Sequence, residues 1–404
     1  MIEEKNVLTN KYYGERDQTH YLPVFKRFPV AICCGSGSRV RDTEGKEYVD
    51  ALAGIAVNNV GHCHPKVTAA IREQAGKLMH ISNFFVSEPQ VALSERLTRL
   101  SGLERVFFTN SGAESVEGAI KIARKYAHSK GRGGTVLSFH GSFHGRTMAT
   151  IATGKKQMQK GFDPIPAGFT QVPFNDIDAV KAAVSDETAA VLVEPIQGEG
   201  GINPADRDFL NALRQICDKH GIVLIFDEIQ CGMGRTGHLF AKDLYDVQPD
   251  IMTLAKGLGA GVPIGAVLAN EKVSAALDFG DHGTTFGGNP LVCAAAMACL
   301  DVIEEEDLLR AAAEKGAWFK EEVKKMNLPS VRDIRGEGLM LGIDFDFETK
   351  PLVAEMLKNG VIANATADTV LRIVPPLNIP YDDLKTLRDT MHRAVKKITE
   401  NAEV

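Results

Sequence analysis

Residues 222–228 read Ile-Val-Leu-Ile-Phe-Asp-Glu, five apolar residues that follow Gly221 and end in two acids. An unbroken apolar run of this length, bounded by a glycine and by charge, is typical of a strand buried on both faces of a parallel sheet. An acid at the carboxyl end of such a strand faces the crevice in which open α/β sheets bind ligands. We therefore expect Asp227 to point into a ligand site.

A second apolar run, residues 251–255, ends directly before Lys256 and Gly257. The sequence thus predicts one carboxylate and one amine at two strand ends that face a single crevice. Pyridoxal phosphate needs both groups, a lysine that bonds to its aldehyde and an acid that keeps its ring nitrogen protonated. Asp227 and Lys256 together therefore indicate a site for this cofactor, whereas either residue alone would favour a surface lysine or a helix-capping acid.

Strand-like and helix-like segments alternate along the middle of the chain. Apolar stretches at 105–108, 135–138 and 188–193 are separated by stretches of other composition, including a predicted helix from Ala113. This alternation predicts an α/β fold with a mostly parallel sheet covered by helices.

The pattern changes near residue 305, where a long charged helix is predicted over 308–326. Strand-like runs, a short helix and a closing amphipathic helix follow it, which is typical of an α+β unit. We expect a large domain at residues 61–305, a smaller C-terminal domain at residues 306–404, and an N-terminal segment, residues 1–60, packed with the smaller domain.

Composition limits the kinds of partner. Of the 404 residues 44% are apolar, enough for a sizeable core, and the net charge of −6 gives no electrostatic reason to expect nucleic acid. No apolar run is long enough to span a bilayer. Residues 1–9 resemble neither a signal nor a transit sequence, and the seven cysteines show no CxxC spacing. We expect a cytoplasmic protein with reduced thiols and no membrane partner.

Two histidine pairs suggest metal ligands without completing a set. His62 and His64 flank Cys63, and His140 and His144 share a later loop. Neither pair has a nearby third ligand of the kind that zinc sites use, and the second lacks the glutamate of an HExxH helix. We interpret these histidines as turn residues near helix starts and expect no metal.

Two segments after strand ends offer groups for a charged, flat ligand. Ser111 and Glu114 fit a capping box, and at that helix start Gly112 lets the backbone approach an anion. In the next loop, Phe143 offers a ring for stacking and Arg146 suits bidentate capture of a carboxylate. A packed phenylalanine and a surface arginine are the alternatives that the residues alone leave open.

A lone arginine lies far downstream in an apolar run. Arg372 is surrounded by Leu371, Ile373 and Val374. Because burying an unpaired charge is costly, Arg372 is expected to have a partner or a ligand.

These motifs together resemble the class III aminotransferases, ω-amino-acid enzymes of the fold type I pyridoxal-phosphate group. The resemblance covers nearly the whole chain, and rests most on Asp-Glu-Ile-Gln at 227–230, Gly-Met-Gly-Arg-Thr-Gly at 232–237 and Ala-Lys-Gly-Leu-Gly at 255–259. It implies a fold type I transferase, with a large and a small domain, that moves an amine through pyridoxal phosphate bound to Lys256.

The resemblance also implies a role for each candidate residue. Those implied at the cofactor are Gly112 and Ala113 at its phosphate, Phe143 on its ring, Gln230 at its ring hydroxyl, Asp227 at its ring nitrogen, Lys256 at its aldehyde, and Thr285 at the phosphate of the neighbouring subunit. Those implied at the substrate are Arg146, Glu199, Thr284, Arg372 and Asn83. Because Thr285 is implied to bind the cofactor phosphate of the neighbouring subunit, the resemblance also implies a homodimer with shared active sites.

Glu199 and Arg372 are implied to act as a switch. In the related enzymes the matching glutamate pairs with the matching arginine while the amine donor is bound. The pair opens when the arginine binds the α-carboxylate of 2-oxoglutarate. Arg146 is implied to hold the donor carboxylate that lies remote from the reacting amine.

Within the family, the chain is most similar to members that pass the terminal amine of N-acetylornithine to 2-oxoglutarate. Gly-Ile-Ala-Val at 54–57 has no tyrosine where ornithine enzymes place one, and Ser-Asn-Phe-Phe at 82–85 resembles the acyl-side segment. Succinylornithine, N-succinyl-diaminopimelate semialdehyde, ornithine, lysine and 4-aminobutyrate stay open as substrates.

Three other kinds of protein were weighed against a transaminase. An aminomutase shares the scaffold and the lysine, but the pair of Glu199 and Arg372 favours an enzyme that handles two different substrates. A dinucleotide dehydrogenase is excluded because Gly-Ser-Gly-Ser at 35–38 does not complete GxGxxG and no helical pattern follows. A non-catalytic binding protein would require Lys256 to be idle.

Overall fold

The computed structural model describes residues 9–402, and the predictions made for residues 1–8 lie outside this part of the chain. Its strands are, in chain order, β1 (Ile32–Ser36), β2 (Arg39–Asp42), β3 (Glu47–Asp50), β4 (Arg105–Thr109), β5 (Thr135–Phe139), β6 (Phe169–Val172), β7 (Thr188–Val193), β8 (Ile196–Gln197), β9 (Asn203–Pro204), β10 (Val223–Asp227), β11 (Ile251–Leu254), β12 (Gly265–Ala269), β13 (Val331–Glu337), β14 (Met340–Phe345), β15 (Val361–Ile362), β16 (Asn364–Thr366) and β17 (Val370–Ile373).

The helices cover both faces of the largest sheet and continue to the C-terminus. They are α1 (Asn10–His20), α2 (Ala53–Ala56), α3 (Pro65–Lys77), α4 (Glu88–Ser101), α5 (Gly112–Ser129), α6 (Met148–Ala152), α7 (Ile177–Ala183), α8 (Arg207–His220), α9 (Ala241–Tyr245), α10 (Glu271–Ser274), α11 (Pro290–Glu305), α12 (Leu308–Lys325), α13 (Lys350–Lys358) and α14 (Tyr381–Ala402). Short 3₁₀ turns lie at Lys156–Met158 and Lys256–Leu258. Within residues 9–402, no helix is long and apolar enough to cross a membrane.

Seven strands form the central sheet in the order β4-β12-β11-β10-β7-β5-β6. Strand β12 runs antiparallel to both of its neighbours, and every other neighbouring pair is parallel. The mostly parallel sheet predicted from the alternating pattern is therefore confirmed. Strand β10, which contains most of the apolar run 222–226, lies at the centre between β7 and β11.

Burial of β10 on both faces is confirmed by the packing of its alternate residues. Val223 and Ile225 pack in the cluster formed with α5, whereas Leu224 and Phe226 pack in the cluster formed with α8. All four side chains are fully buried. Since successive strand residues point to opposite faces, an uninterrupted apolar run is what a strand between two helix layers requires.

Sequence reasoning missed two strands of this sheet and the first helix. Strand β12 reads Gly-Ala-Val-Leu-Ala, which has no charged flank at its start, and the edge strand β6 reads Phe-Thr-Gln-Val, which is half polar. Helix α1 buries no side chain and is capped by Thr9, whose hydroxyl accepts a hydrogen bond from the Tyr12 amide at 3.2 Å. None of these segments carries the long apolar or amphipathic run on which the predictions relied.

Two smaller sheets involve the ends of the chain. Strands β13-β14-β17-β16 form an antiparallel sheet near α12, and β1-β2-β3 are extended by β15. Strand β15 pairs with β3 in parallel, so a C-terminal strand completes an N-terminal sheet. The domain bounds of 1–60, 61–305 and 306–404 stay a prediction.

Candidate active site

A cavity of about 410 Å³ lies at the carboxyl ends of the parallel strands. Strands β5, β7, β10 and β11 point their carboxyl ends toward the same edge of the sheet, as parallel neighbours must. The predicted residues among those that line this cavity are Gly112, Ala113, Phe143, Arg146, Asp227, Gln230 and Lys256. The structure thus brings seven of the sequence-predicted residues to one crevice.

Lys256 is held in an unusual backbone conformation directly after β11. Its φ of 41° lies in the left-handed region, which a non-glycine residue adopts at a cost and which is common at functional sites. Its amine donates no hydrogen bond to a side chain within residues 9–402. Burial, and then the positive charge of Arg372, lower the pKa of Lys256. The amine is therefore a better nucleophile and base near neutral pH than an exposed lysine.

Asp227 is buried at the end of β10 and is hydrogen bonded on both carboxylate oxygens. Oδ1 accepts from the Ile229 amide at 3.1 Å and from the Thr253 hydroxyl at 3.3 Å. Oδ2 lies 2.7 Å from Nδ1 of His144, whose side chain is fully buried. The carboxylate is thus fixed in orientation toward the cavity that it lines.

His144 was interpreted as a turn residue, and its partnership with Asp227 was missed. Burial alone lowers the pKa of His144, but the hydrogen bond and negative charge of Asp227 raise it overall. The other ring nitrogen, Nε2, is buried without a partner within the described residues. The same residues contain no group of three or more His, Cys, Asp or Glu side chains arranged to hold a metal ion. The structure therefore places His144 behind Asp227, where it supports the carboxylate.

The start of α5 forms the end of the cavity suited to an anion. Ser111 caps the helix by accepting from the Glu114 amide at 3.3 Å, while Glu114 bonds to the Asn110 amide at 2.7 Å. The carboxylate reaches one residue further back than the predicted capping box requires. Among residues 9–402, no acceptor is bonded to the amides of Gly112 and Ala113, which leaves them free for a phosphate.

Little space for a side chain lies beside Gly112 and Gly145. A Cβ added to Gly112 would lie 2.9 Å from Cδ1 of Ile229, which is closer than atoms pack. Gly145 has a φ of 140°, and a Cβ there would lie 2.8 Å from that of Ala113. The backbone around the helix start is therefore a close cradle that side chains would fill.

Phe143 and Arg146 lie on the loop after β5. The Phe143 amide donates to Oε2 of Glu194 at 3.0 Å, and the guanidinium of Arg146 lies 5.4 Å from the Phe143 ring centroid. Arg146 is exposed at the cavity and forms no ion pair within the described residues. It is thus available to an external carboxylate.

Arg372 and Glu199 form an ion pair beside the cavity. Nη1 of Arg372 donates to Oε1 of Glu199 and, at 3.4 Å, to Oε1 of Gln230, which lines the cavity. Nη2 donates to Asn364 at 2.7 Å. The side chain of Arg372 is only 1% exposed, and burial alone would raise the pKa of Glu199, but the positive charge of Arg372 lowers it overall. The lone arginine of the apolar run therefore has the partner that its burial requires.

Thr284, Asn83 and Thr285 lie at the rim. The Thr284 hydroxyl accepts from Asn110, a cavity residue, at 3.2 Å, and Asn83 donates to the Thr284 carbonyl at 3.1 Å. Thr285 is exposed and does not line the cavity of its own chain. The structure therefore connects two of these residues to the site and leaves Thr285 facing outward.

Glu194 is a cavity residue that sequence reasoning did not single out. Its carboxylate accepts from the amides of Phe143 at 3.0 Å and Gly198 at 3.1 Å, and burial raises its pKa to about 7. It joins the loop that carries Phe143 to the loop that carries Glu199. An acid directly after the apolar run of β7 is the same signal that revealed Asp227, and it was available in the sequence.

The residues of the cavity fit pyridoxal phosphate. The unbonded backbone amides at the start of α5 suit its phosphate. The buried carboxylate of Asp227 suits its ring nitrogen, and the amine of Lys256 suits its aldehyde. The cavity therefore has a group suited to each of the three parts of this cofactor: its phosphate, its ring nitrogen and its aldehyde.

Comparison with known proteins gives the family. Residues 23–395 match the family described as Aminotransferase class-III. The acetylornithine aminotransferase of Methanocaldococcus jannaschii is 51% identical over 398 residues, which cover 97% of this chain and 100% of that protein.

Solved structures agree with this assignment. The acetylornithine aminotransferase of Elizabethkingia anophelis has a TM-score of 0.86 at 34% identity and covers 96% of this chain and 99% of its own. An ornithine aminotransferase of Toxoplasma gondii with PLP at partial occupancy in its active site has a TM-score of 0.95 at 33% identity, covering 99% and 97%. The predicted cofactor, pyridoxal phosphate, is confirmed by this family, and the substrates are small molecules. This chain belongs to the class III aminotransferases and is a pyridoxal-phosphate-dependent transaminase of fold type I.

Proposed function

We propose that this transaminase transfers the terminal amine of N2-acetyl-L-ornithine to 2-oxoglutarate, giving N-acetylglutamate 5-semialdehyde and glutamate in arginine biosynthesis. The observation that carries the proposal is the presence of two arginines, one that lines the cavity without an acidic partner in the described part of the chain and one that lies beside it in an ion pair. Arg146 has no acidic partner within residues 9–402, whereas Arg372 is paired with Glu199. The acetylornithine aminotransferases among its relatives support the same substrate.

The unpaired arginine and the paired arginine match the two substrates. The donor carries its carboxylate far from the reacting amine, whereas 2-oxoglutarate carries a carboxylate next to its reacting carbon. Arg146, exposed at the cavity, suits the remote carboxylate. Arg372 suits the near carboxylate, and Glu199 neutralises Arg372 while the donor's uncharged CH2 group lies there.

An acylated donor is favoured by the apolar wall of the cavity. Val57, Pro263 and Ile264 line the cavity, and Val57 belongs to the segment that lacks a tyrosine. These side chains offer no hydrogen-bond acceptor to a free α-ammonium group, whereas an acetylated nitrogen carries no charge. Ornithine is the second candidate, since the T. gondii ornithine aminotransferase has the higher TM-score of 0.95.

Lys256 and Asp227 are proposed as the catalytic residues. When bound, pyridoxal phosphate supplies an aldehyde for the amine and a ring that withdraws electrons from the neighbouring carbon. Lys256, with its lowered pKa, would act as the base that takes the proton from the donor carbon bearing the amine, and as the acid that gives a proton back. Asp227, supported by His144, keeps the ring nitrogen protonated.

The remaining residues position the two ligands. Gly112 and Ala113 bind the phosphate through their amides, Phe143 stacks on the ring, and Gln230 contacts the ring hydroxyl. Thr284 and Asn83 form the rim on the acyl side of the donor. The positions of these residues at and around the cavity support the proposed roles.

A homodimer with shared active sites is part of the proposal. Exposed apolar side chains, here called the rim patch, adjoin the loop that carries Thr285: Leu78, Met79, Phe84, Phe85, Val86 and Phe286. Asn83 bonds to the Gly287 carbonyl at 3.2 Å, and the His80 and Phe286 rings lie 5.1 Å apart, so the two segments form one surface. An apolar surface of this kind is typical of a subunit interface, and a second copy would present Thr285 to the neighbouring cavity.

We also propose that the enzyme acts in the cytoplasm. All seven cysteines are free thiols in the structure, including the exposed Cys33, Cys34 and Cys63. Reduced thiols are typical of proteins in the cytosol.

The donor is tested by steady-state kinetics with 2-oxoglutarate as acceptor and N-acetylornithine, N-succinylornithine, ornithine, lysine and 4-aminobutyrate as donors. We expect the highest kcat/KM with N-acetylornithine. A higher kcat/KM with ornithine would keep the transaminase and reject the acylated donor.

A further inference from the structure

Cys33 and Cys34 form a pair of exposed thiols on β1, at the edge of its sheet. In a regular strand adjacent side chains point to opposite faces. Here the two sulfur atoms lie 3.7 Å apart. The thiols therefore lie on the same side of the strand.

A β-bulge explains this arrangement. Ile32 pairs with Asp42, and Cys34 pairs with Arg41. Cys33 is therefore an extra residue on β1 with no pairing partner of its own on β2. A bulge interrupts the alternation of side chains and redirects one of them. The Cys33 sulfur also lies 3.4 Å from the Arg41 carbonyl and 3.3 Å from the Asp42 carbonyl, which accept its hydrogen. The backbone of β2 thus holds Cys33 beside Cys34.

The geometry favours one bridging atom over a direct disulfide. Adjacent Cα atoms lie about 3.8 Å apart across a trans peptide, whereas disulfide-bonded cysteines usually have Cα atoms about 4.4–6.8 Å apart. A bond between neighbouring cysteines is therefore strained. The two sulfurs, 3.7 Å apart, are within reach of one bridging atom, since two bonds of about 2.3 Å span at most about 4.6 Å.

The bridging group must also be one that needs only two ligands from the protein. Structural zinc takes four ligands and requires thiolates, and within residues 9–402 no group of three or more His, Cys, Asp or Glu side chains could hold a metal. Desolvation and the hydrogen bond to Cys34 raise the pKa of Cys33, which keeps this thiol protonated near neutral pH. A reagent that condenses with two thiols fits better than a cation.

We propose that Cys33 and Cys34 form a dithiol site that captures trivalent arsenicals. An organoarsenic oxide condenses with the two thiols: its bonds to oxygen break, two arsenic–sulfur bonds form, and the two thiol protons leave with the oxygen as water. Arsenic keeps its oxidation state, so no oxidant or reductant is needed. The product has three-coordinate arsenic, which requires no third ligand from the protein.

The site is tested with the intact holoenzyme and phenylarsine oxide. After labelling, excess glutathione removes arsenic bound to single thiols, and intact-mass spectrometry counts what stays. We expect one phenylarsenic group per chain that resists glutathione and leaves with dithiothreitol, because only a dithiol competes with two bonds to one arsenic. Cys33→Ser and Cys34→Ser should each lose the retained label, and Cys63→Ser, which removes the other exposed thiol, should keep it.

Peptide mapping of the labelled wild-type protein provides a second measurement that needs no variant. We expect arsenic on the peptide that contains Cys33 and Cys34. Arsenic retained on another peptide, retention in either serine variant, or loss of all wild-type label to glutathione would overturn the proposal.

Discussion

At the scale of single residues, the contact with His144 holds the Asp227 carboxylate in place at the end of β10. Oδ2 of Asp227 lies 2.7 Å from Nδ1 of His144, and both side chains are buried. We expect His144→Ala to weaken cofactor binding by about 1.5–3 kcal/mol, the value of a hydrogen bond to a charged group, or roughly 10–100-fold in Kd. Absorbance titration with pyridoxal phosphate measures the change.

His144→Asn is the matched control for this prediction. Its amide can donate from near the position of Nδ1 and should recover part of the lost affinity. Wild-type affinity in His144→Ala would show that Asp227 does not depend on this contact.

Glu199 and Arg372 allow a second prediction at this scale. Glu199→Ala removes the carboxylate that pairs with Arg372 and leaves the arginine available to any α-carboxylate. We expect kcat/KM to fall for N-acetylornithine and to rise for α-amino donors such as glutamate, measured in the two half-reactions. Glu199→Gln keeps the size and removes the charge, so it should shift the preference in the same direction. An unchanged donor preference in both variants would reject the switch.

The sequence predicted individual site residues well where they directly follow a predicted strand. Asp227 and Lys256 follow apolar runs, and both line the cavity. His144 was missed because its partnership depends on β5 and β10 lying near each other across β7, and strand order is not written in local pattern. Glu194 follows β7 in the same way and was overlooked, but its contacts with the amides of Phe143 and Gly198 could not be read from local pattern.

At the scale of elements, β10 lies in the core between two layers of helices. Phe226 is fully buried and packs in the cluster formed with α8. We expect Phe226→Ala to lower the free energy of unfolding by about 3–5 kcal/mol, because it removes buried surface and leaves a cavity. Phe279 is exposed, so Phe279→Ala should change stability by less than about 0.5 kcal/mol. Equal losses in urea denaturation of the two variants would contradict the burial of β10.

The start of α9 depends on a buried acid. The carboxylate of Glu228 accepts from the amides of Ala241 at 2.5 Å and Lys242 at 2.8 Å. Burial raises its pKa from 4.5 to about 8. Between these values the folded chain holds a proton that the unfolded chain has released, so the contribution of Glu228 to stability falls as pH rises.

Glu228→Gln removes this titration. We expect the wild-type protein to lose more stability than the variant between about pH 5 and about pH 8, measured by denaturant midpoints at each pH. Identical losses in both proteins would assign the pH dependence to other groups.

At the scale of the whole molecule, the alternating pattern of the sequence predicted the fold class and the parallel sheet. It did not reveal that β12 runs antiparallel between β4 and β11, because pairing direction depends on connections through the rest of the fold. It also did not show that β15 completes the N-terminal sheet, a contact between residues far apart in the chain.

The proposed dimer predicts complementation between two defective subunits. Thr285→Ala and Lys256→Ala are each expected to lower activity, since one weakens phosphate binding in the neighbouring site and the other removes the catalytic amine. In a mixed dimer, the subunit that keeps Lys256 receives Thr285 from its Lys256→Ala partner. Activity should therefore rise above that of either variant when the two are refolded or co-expressed together. No rise in a confirmed mixed dimer would place Thr285 at the site of its own chain.

The central claim is that Lys256 and Asp227 form a pyridoxal-phosphate site that takes the amine of N-acetylornithine. The most direct measurement is the absorbance of the holoenzyme during a single half-reaction. We predict that the band of the lysine-bound cofactor disappears fastest with N-acetylornithine among the donors and returns when 2-oxoglutarate is added. A band that persists with N-acetylornithine but disappears with another amine would contradict the proposed donor, and a band that forms unchanged in Lys256→Ala would contradict the site itself.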